Sequence, residues 1–353
     1  MSTWKLVKLN FGQSPAHFGE LGIGIEETSE RVRSDTLFSA WVSAYARLFG
    51  KDGVEELLRQ FLNPSPPVRM SSTFIYREKG ENKIYYLPRP LKFPTNYPQG
   101  DDLAFFKTYK KLQYLPLEVW KRWYQGGGFT TSDRKELIAE TEGKSQGQLR
   151  NLGTFDYKQT YKIGHQPKVA VDRVTRATNF YHTGFVQFET GNSHSGLYFL
   201  LYFSQNNPQL ENDLHAALKF LGEEGLGGER SSGAGRFEVD WKALPKTWQE
   251  VVDFSDKPGY HCLMSLFWDE GSNLQQLIAN NSSYEIQERG GWIASPFSGR
   301  QKRRKFVRMF AEGSVFLGTP QGKLVDVTPQ GFSTHSIYRS GISLSLPIKV
   351  QEE

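Results

Sequence analysis

Glycine, serine and arginine are concentrated in one stretch of the chain, LGGERSSGAGRFEV, at Leu226–Val239. Glycine permits positive φ and close approach of the backbone to a ligand, and successive backbone N–H groups in such a loop can form an anion-binding nest. Arginine and serine add charge-assisted and short hydrogen bonds. The candidate anion-binding residues are Gly227, Gly228, Arg230, Ser231, Ser232, Gly233, Gly235 and Arg236. The alternative is a surface loop that binds no ligand.

This loop does not match the common phosphate motifs. No Gly-Lys-Ser/Thr follows at the spacing of a Walker loop. A dinucleotide fingerprint lies between a strand and the following helix, whereas this loop follows a predicted helix and precedes a predicted strand. The anion is therefore not identified by the loop alone.

Catalytic and metal-binding patterns were searched for and not found. The seven histidines form no metal-spaced pair, and the single cysteine, Cys262, lies in an apolar stretch typical of a buried thiol. No Gly-x-Ser-x-Gly elbow is present. We expect no cofactor, no metal and no catalytic residue. His17 is the best candidate if the chain instead cleaves RNA without a metal by general acid–base chemistry.

The composition limits where the chain works and what it binds. The 43 basic and 38 acidic residues give a net charge of +5, a mild bias towards polyanions. One cysteine fits a reducing compartment. The sequence shows no signal peptide and no run of about 18 apolar residues that could span a membrane. We expect a cytoplasmic protein without a membrane contact.

The elements that position the loop alternate between strands and helices. The predicted strands are Trp4–Phe11, a strand, turn and strand over Val169–Glu189, the buried Gly196–Ser204 and a last strand after Gly235; the predicted helices are Ser34–Gly50, Val54–Leu62 and Glu211–Gly225. Ser34 suits the N-cap of the first helix. Without the irregular segment 64–168, the order is strand, helix, strand, strand, helix, strand. This order predicts an α+β fold of the ferredoxin-like (RRM-like) type, with helices on one face of an antiparallel sheet.

The predicted domains are 1–245 and 246–353. The first contains a long insertion at about 64–168, interpreted as lying outside the core, and the glycine-rich loop at 225–236 after its second helix. The second is a smaller α+β unit. Within it, the basic run at Gly299–Phe310 is either a solvated hairpin tip or a contact for phosphates or an acidic partner; its cations are Arg300, Lys302, Arg303, Arg304 and Lys305.

Six segments in order resemble a known family: HFGE, SDTLFSAW, VDRVTRAT, LGGERSSGAGRFEV, RMFAEGSVF and HSIYRSGISLSLPI. The set is similar to the RAMP-superfamily subunit that caps the five-prime end of the guide RNA in type III-A CRISPR (Csm) effector complexes, the fourth-numbered Csm subunit family. The similarity spans nearly the whole chain but is weak within 64–168.

The resemblance implies two ferredoxin-like domains and a non-catalytic RNA binder of antiviral defence. Its ligand would be the five-prime handle of the crRNA. Its neighbours would be the large polymerase-like subunit and the first backbone RAMP subunit, with target RNA met only indirectly. The glycine-rich loop would lie against the RNA. The further RNA-binding residues implied are Ser34, at a helix N-terminus that favours phosphate, with Arg173, Thr175 and Arg176, expected near the same face as the loop. An ordinary Asp172–Arg173 ion pair is the alternative for VDRVTRAT.

Members of this family also carry a β-hairpin thumb that inserts into the RNA. We assign it to Arg150–Lys168 in preference to Ser72–Leu87, because the former leads directly into VDRVTRAT. Phe155, Tyr157 and Tyr161 would then contact bases or riboses. Two other functions remain: a RAMP-type metal-independent endoribonuclease that processes the crRNA precursor through His17, and a plain RRM-like protein, for which no RNP1-like strand is present.

Overall fold

The computed structural model describes residues 2–19, 24–98, 103–257, 259–279, 281–293 and 302–351. Its helices are α1 (Ser34–Phe61), α2 (Leu103–Lys111), α3 (Leu117–Tyr124), α4 (Thr131–Thr141), α5 (Gln148–Asn151), α6 (Pro208–Glu224), α7 (Lys246–Val252) and α8 (Ser272–Ala279). The first nine strands are β1 (Thr3–Asn10), β2 (Val68–Met70), β3 (Phe74–Lys79), β4 (Asn82–Pro88), β5 (Tyr114–Pro116), β6 (Tyr161–Val171), β7 (Thr178–Phe188), β8 (His194–Phe203) and β9 (Glu238–Ala243). The remaining strands are β10 (Tyr260–Leu263), β11 (Ile286–Arg289), β12 (Val307–Phe310), β13 (Val315–Leu317), β14 (Leu324–Asp326), β15 (Tyr338–Ser340) and β16 (Ser345–Ile348).

A central antiparallel sheet organises the first two thirds of the chain. Its strand order is β5-β4-β3-β8-β1-β9, and β2 also pairs with β8. The predicted strands β1, β8 and β9 lie together, with β1 between the other two. The prediction of an α+β fold with an antiparallel sheet is confirmed.

The interpretation of 64–168 as an insertion outside the core is wrong. Strands β2, β3 and β4 from this segment belong to the central sheet, and the hairpin predicted at Ser72–Leu87 is the β3–β4 pair. Phe74 of β3 lies opposite Tyr198 of β8 and is fully buried. Strand β3, not a strand of 169–189, therefore takes the place next to β8.

Helices α1 and α6 cover one face of the sheet. Trp41 of α1 packs in this core and donates its indole N–H to the Leu214 carbonyl of α6 at 2.8 Å. The two helices predicted at Ser34–Gly50 and Val54–Leu62 form one element, interrupted at Gly50, where φ is 73°. The two separate sequence patterns therefore did not reveal the continuity of the helix.

The other face of the sheet is covered as well. Aromatic side chains of α2, α3 and the segment that follows pack on it, including the fully buried Trp120 and Trp123. The same core continues through Trp248 of α7 to Cys262 of β10. An RRM-like protein reads RNA on an open sheet face, and this sheet has none among the residues described.

The C-terminal unit contains a three-stranded sheet, β13-β10-β16, and two ribbons, β11–β12 and β14–β15. The strands of this unit therefore do not form one continuous sheet, although Phe310 of β12 also bridges Phe267. None of the helices in the described ranges is long and apolar enough to cross a membrane.

Two buried charge clusters join this unit to the start of α1. Asp35 accepts hydrogen bonds from Arg289, at 2.9 and 3.1 Å, and from Arg339. Glu312 accepts from Arg31, Arg33 and Ser72. Burial alone would raise the pKa of each carboxyl, but the neighbouring guanidinium groups outweigh it and hold both pKa values below the ordinary range. Both carboxylates therefore stay charged, and each bridges the two units.

Candidate nucleic-acid interface

Strands β6 and β7 form a hairpin in which eleven residues pair with eleven, separate from the central sheet. Its base is anchored by the Ala16–Val186 bridge and by the hydrogen bond from Gly184 N to Ile25 O, 3.0 Å long. Beyond the base both strands are largely exposed. Val169 and Phe180 lie opposite each other on this outer part, and Phe180 is 60% exposed. The hairpin therefore presents apolar and cationic side chains to a partner outside the chain.

The tip of the hairpin is the VDRVTRAT segment. The Asp172 carboxylate accepts the backbone N–H groups of Val174 and Thr175 at 2.7 and 2.8 Å. These hydrogen bonds from Thr175 and Val174 lower the pKa of Asp172, and they close the turn in which Arg176 adopts a φ of 59°. The carboxylate is thus used by the turn, and no Asp172–Arg173 ion pair occurs among the described contacts.

Arg173, Thr175 and Arg176 are therefore presented at an exposed tip, where Val174 is 92% exposed. Among the described residues no hydrogen bond or ion pair joins them to the glycine-rich loop, and their expected position near the same face stays a prediction. At ~3.3 Å per residue, Arg173 lies about 15 Å further along the hairpin than Lys168, the residue that contacts the loop.

The glycine-rich loop folds back on the N-terminal segment. Gly228 N donates to the His17 carbonyl at 2.9 Å, and Gly235 N donates to the Pro15 carbonyl at 2.8 Å. Leu226 N donates to Gly235 O at 2.8 Å, and a short 3-10 turn at Arg230–Ser232 forms the outer part. The loop is thus an ordered structure with its own hydrogen bonds.

Two of its glycines are required by this close packing. Gly227 has a φ of 100°, and a Cβ there would overlap the His17 carbonyl; Gly235 has a φ of 78°, and a Cβ there would overlap the Leu226 carbonyl. Gly228 also has no room, since its Cβ would lie 2.6 Å from the His17 ring. Gly233 differs: its φ is 87°, but the space beside it is open. Most of these glycines are therefore explained by close packing of the loop against other residues of the same chain.

The side chains that point outwards from the loop carry its charge. Arg230, Ser231, Ser232 and Arg236 are exposed. Within the described ranges neither arginine has an ion-pair partner. An unpaired guanidinium can bind phosphate through planar paired N–H groups, so these two arginines are the side chains of the loop best suited to an anionic ligand.

Lys168 connects the hairpin to the loop. Its ammonium group contacts the Glu229 carboxylate, lies 3.3 Å from Ser232 Oγ and sits 5.5 Å from the centre of the Phe185 ring. The sequence analysis placed Lys168 at the end of the assigned thumb but gave it no role, because a strand pattern leading to the tip is evident only from Val169. Gly164 and Pro167 interrupt the strand pattern, yet a hairpin strand that pairs on one edge only tolerates such residues.

The thumb assignment to Arg150–Lys168 is wrong in its bounds. The protruding hairpin begins only at Tyr161 and continues to Phe188. Phe155 packs against the core beneath the sheet, and Tyr157 stacks on Tyr114 at 4.3 Å between ring centres. Tyr161 lies at the base of the hairpin, beside Tyr157. These three aromatic side chains pack inside the protein because aromatic area is stabilising when buried.

Ser34 and the start of α1 are not available to an outside ligand. Ser34 is 1% exposed, and its hydroxyl accepts the backbone N–H of Leu266 at 3.0 Å. It does not cap the helix; Arg33 holds the N-cap position without a side-chain hydrogen bond. The expected phosphate contact at this helix N-terminus is therefore replaced by a contact with the C-terminal unit.

His17 lies between the loop and the hairpin. Its Nδ1 is 2.7 Å from the Gly184 carbonyl, so Nδ1 carries the proton and donates it. No cluster of three or more His, Cys, Asp or Glu side chains that could hold a metal occurs in the described part of the chain. Among the described residues no hydrogen bond joins the His17 ring to a second titratable side chain.

The basic run of the C-terminal unit is only partly described, because Arg300 lies outside the described residues. Arg303 lies over the Trp292 ring at 4.8 Å, and Lys302 donates to the Gly331 carbonyl at 2.5 Å. Burial lowers the pKa of Arg304 to about 10, with the nearby Arg339 acting in the same direction. Lys305 is exposed. Most of this run is thus held by the protein itself.

Comparison with known proteins gives matches over the whole chain. A family model described as the CRISPR Csm4 C-terminal domain matches residues 256–348. A "CRISPR system Cms protein Csm4" of Methanocaldococcus jannaschii is 26% identical over 381 residues, covering 96% of this chain and 96% of that protein. The protein of the same name from Thermococcus onnurineus is 27% identical over 327 residues, covering 91% and 92%.

Solved structures show the same fold. A chain of the Csm3-Csm4 subcomplex in the type III-A CRISPR-Cas interference complex has a TM-score of 0.60 at 21% identity, covering 98% of this chain and 99% of that one. A chain of the Csm1-Csm4 cassette in complex with pppApA has a TM-score of 0.59 at 20% identity, covering 100% of both. Residues 256–348 thus match the Csm4 C-terminal domain, and along its whole length the chain is similar to proteins named Csm4.

Proposed function

We propose that this chain is a non-catalytic subunit of a type III-A CRISPR complex that holds the five-prime handle of the crRNA. The observation that carries the proposal is the contact between the β6–β7 hairpin and the glycine-rich loop at Lys168 and Glu229, since both segments also carry exposed cations. Arg230 and Arg236 on the loop and Arg173 and Arg176 at the hairpin tip are exposed cations, and no acidic partner occupies them in the described ranges.

The chemistry of this surface suits single-stranded RNA. Arginines that are free of ion pairs neutralise phosphates, and an exposed ring such as Phe180 offers a stacking face for a base. Because both faces of the central sheet are covered, the RNA is proposed to cross the loops and the hairpin instead of the sheet. In guide complexes base pairing reads the target, so a constant handle can be held by fixed contacts.

The first unit supports the ferredoxin-like part of the proposal. Along the chain, β1, α1, β3, β8, α6 and β9 form a β-α-β-β-α-β unit. In the sheet its strands are arranged β9-β1-β8-β3, so the fourth strand lies beside the first, followed by the third and the second. The second ferredoxin-like domain is proposed on the family resemblance alone. The hairpin of β6 and β7 is proposed as the thumb, in place of Arg150–Lys168.

The partners are proposed from the relatives. Solved Csm4 chains of this fold occur with Csm3 and with Csm1. We therefore expect this chain to bridge the backbone RAMP subunit and the large polymerase-like subunit, and to meet target RNA only through the assembled complex.

The test is the affinity of the full chain for a fluorescent handle RNA at several salt concentrations. Arg230→Ala and Arg236→Ala should each weaken binding and reduce the slope of log affinity against log salt by about one. Lys110→Ala is the matched control, because Lys110 is exposed on α2 in the layer that covers the other sheet face. Arginine variants that bind like the control would overturn the proposed RNA site.

The absence of catalysis is tested on a repeat-containing RNA, with and without Mg²⁺. We expect no specific cleavage. Cleavage that disappears in His17→Ala would transfer the assignment to the endoribonuclease alternative.

A further inference from the structure

We propose that Lys168 and Ser232 form a phosphate subsite at the junction of the hairpin and the glycine-rich loop, and that Glu229 occupies this subsite while RNA is absent. The inference rests on the proposed function and adds a specific phosphate contact with an internal competitor. It concerns a junction between two segments that lie about sixty residues apart in the sequence.

The first argument is the surroundings of the Lys168 ammonium group. Ser232 Oγ lies 3.3 Å from it, and the Phe185 ring lies beneath it at 5.5 Å. Phe185 is 5% exposed, so the ring is a fixed support and not a mobile side chain. An ammonium group and a hydroxyl on a rigid base form a suitable pair of ligands for one phosphodiester group.

The second argument is that a carboxylate of the loop itself fills this position. Glu229 contacts Lys168, and its Oε2 lies 3.5 Å from Ser232 Oγ. Glu229 also has a φ of 57°, a left-handed conformation that costs a residue with a side chain free energy. Glu229 is the one acidic residue of the loop at 225–236. Its backbone is strained, and its carboxylate lies between the two proposed phosphate ligands, Lys168 and Ser232.

The third argument is accessibility. The side chains of Lys168 and Glu229 are 21% and 24% exposed, so an incoming phosphate can reach them. Arg230, which has no ion-pair partner among the described residues, and Gly233, which has open space beside it, both follow Glu229 in the chain. Rotation of the Glu229 side chain towards solvent would leave Lys168 to the RNA without moving the backbone. Ser232 Oγ would exchange its 2.8 Å hydrogen bond to the Glu229 backbone carbonyl for one to phosphate.

The direction in which Glu229→Gln changes RNA affinity distinguishes this proposal from a structural role of Glu229. If Glu229 competes with RNA, Glu229→Gln should tighten handle binding about two- to fivefold, the range expected from release of one partly exposed ion pair. The slope of log affinity against log salt should become steeper by up to about one, because Lys168 gains a phosphate contact. If Glu229 only stabilises the loop, the same change should weaken binding.

Three further variants make the test specific to the subsite. Lys168→Met should weaken binding, and the double variant Lys168→Met/Glu229→Gln should bind like Lys168→Met alone. Glu229→Asp keeps the charge but shortens its reach, so it should also tighten binding. Glu238→Gln removes an exposed acid at the start of β9, outside the loop, and should change affinity less than Glu229→Gln.

The experiment uses the full chain and a fluorescent handle RNA in a salt series, with a thermal melt of each variant. The subsite would be overturned if Glu229→Gln bound the handle RNA no more tightly than wild type. It would also be overturned if Glu229→Gln increased the affinity by the same factor in the Lys168→Met background. Wild-type protein that does not bind the handle RNA at all would instead overturn the proposed function. Glu229→Asp and Lys168→Met decide the question if Glu229→Gln fails to fold.

Discussion

Replacing Gly235 by alanine should damage the glycine-rich loop far more than the same change at Gly233. Both glycines have positive φ, 78° and 87°, and an alanine in this region costs about 1–2 kcal/mol. That strain is common to both positions. The difference in stability between the two variants therefore measures the effect of the contacts that the added Cβ makes at each position.

The difference comes from the space beside each residue. A Cβ on Gly235 would lie 2.9 Å from Leu226 N and closer still to the Leu226 carbonyl oxygen, whereas a Cβ on Gly233 meets nothing within 4 Å. An ordinary carbon contact is about 3.5 Å, so Leu226 must move. The hydrogen bonds from Gly235 N to Pro15 O and from Leu226 N to Gly235 O are then lost, at about 0.5–1.5 kcal/mol each.

Gly235→Ala should thus lower the free energy of unfolding by about 2–5 kcal/mol, and Gly233→Ala by about 1–2 kcal/mol. Urea denaturation with linear extrapolation measures both. Handle-RNA binding should fall with Gly235→Ala, because the arginines beside it lose their position, and should persist with Gly233→Ala. Equal losses of stability in the two variants would refute the packing of this loop on the N-terminal segment.

Further predictions concern the charges that join the two units and those at the hairpin tip. Asp35→Asn leaves buried guanidinium groups without a counter-charge, so the free energy of unfolding should fall by about 3–5 kcal/mol; an unchanged urea midpoint would contradict this. The pKa values of Asp35 and Glu312 are held low, since the arginine charges outweigh burial. Their stabilisation is therefore present above the ordinary carboxyl pKa of about 4 and is lost as pH falls through the lowered values, so the urea midpoint should fall from about pH 5 towards pH 3, and less steeply in Asp35→Asn. Arg173→Ala and Arg176→Ala should each weaken handle binding without changing the melting temperature, because both side chains are exposed; a lower melting temperature would indicate a structural role.

The parts of the fold that the sequence predicts well are those with a clear local pattern. Strand β1 and helix α6 follow their alternating and amphipathic patterns, and the turn near Lys79 was recognised. The position of β3 in the sheet was not predicted, because its partner β8 lies about 120 residues away. No local sequence pattern indicates such a distant pairing. The layer around Trp120 was misread as lying outside the core, because several short helices give no long amphipathic period.

At the candidate site, too, the features set by local sequence were predictable and the contacts between distant residues were not. The glycine-rich composition correctly indicated close backbone approach, but the approach at Gly227 is to the His17 carbonyl, which composition cannot reveal. Ser34 matches the pattern of an N-cap, yet its hydroxyl bonds Leu266, 232 positions away. The contact of Lys168 with Glu229 was likewise outside any local pattern. The RNA-binding roles of these residues stay predictions.

The most direct test of the central claim is photo-crosslinking of the handle RNA to this chain in the assembled complex, followed by mass spectrometry of the crosslinked peptides. Crosslinks are predicted in the glycine-rich loop at 225–236 and in the β6–β7 hairpin at 161–188. Crosslinks confined to other surfaces, such as the α2–α4 layer over the second sheet face, would contradict the assignment of the RNA interface.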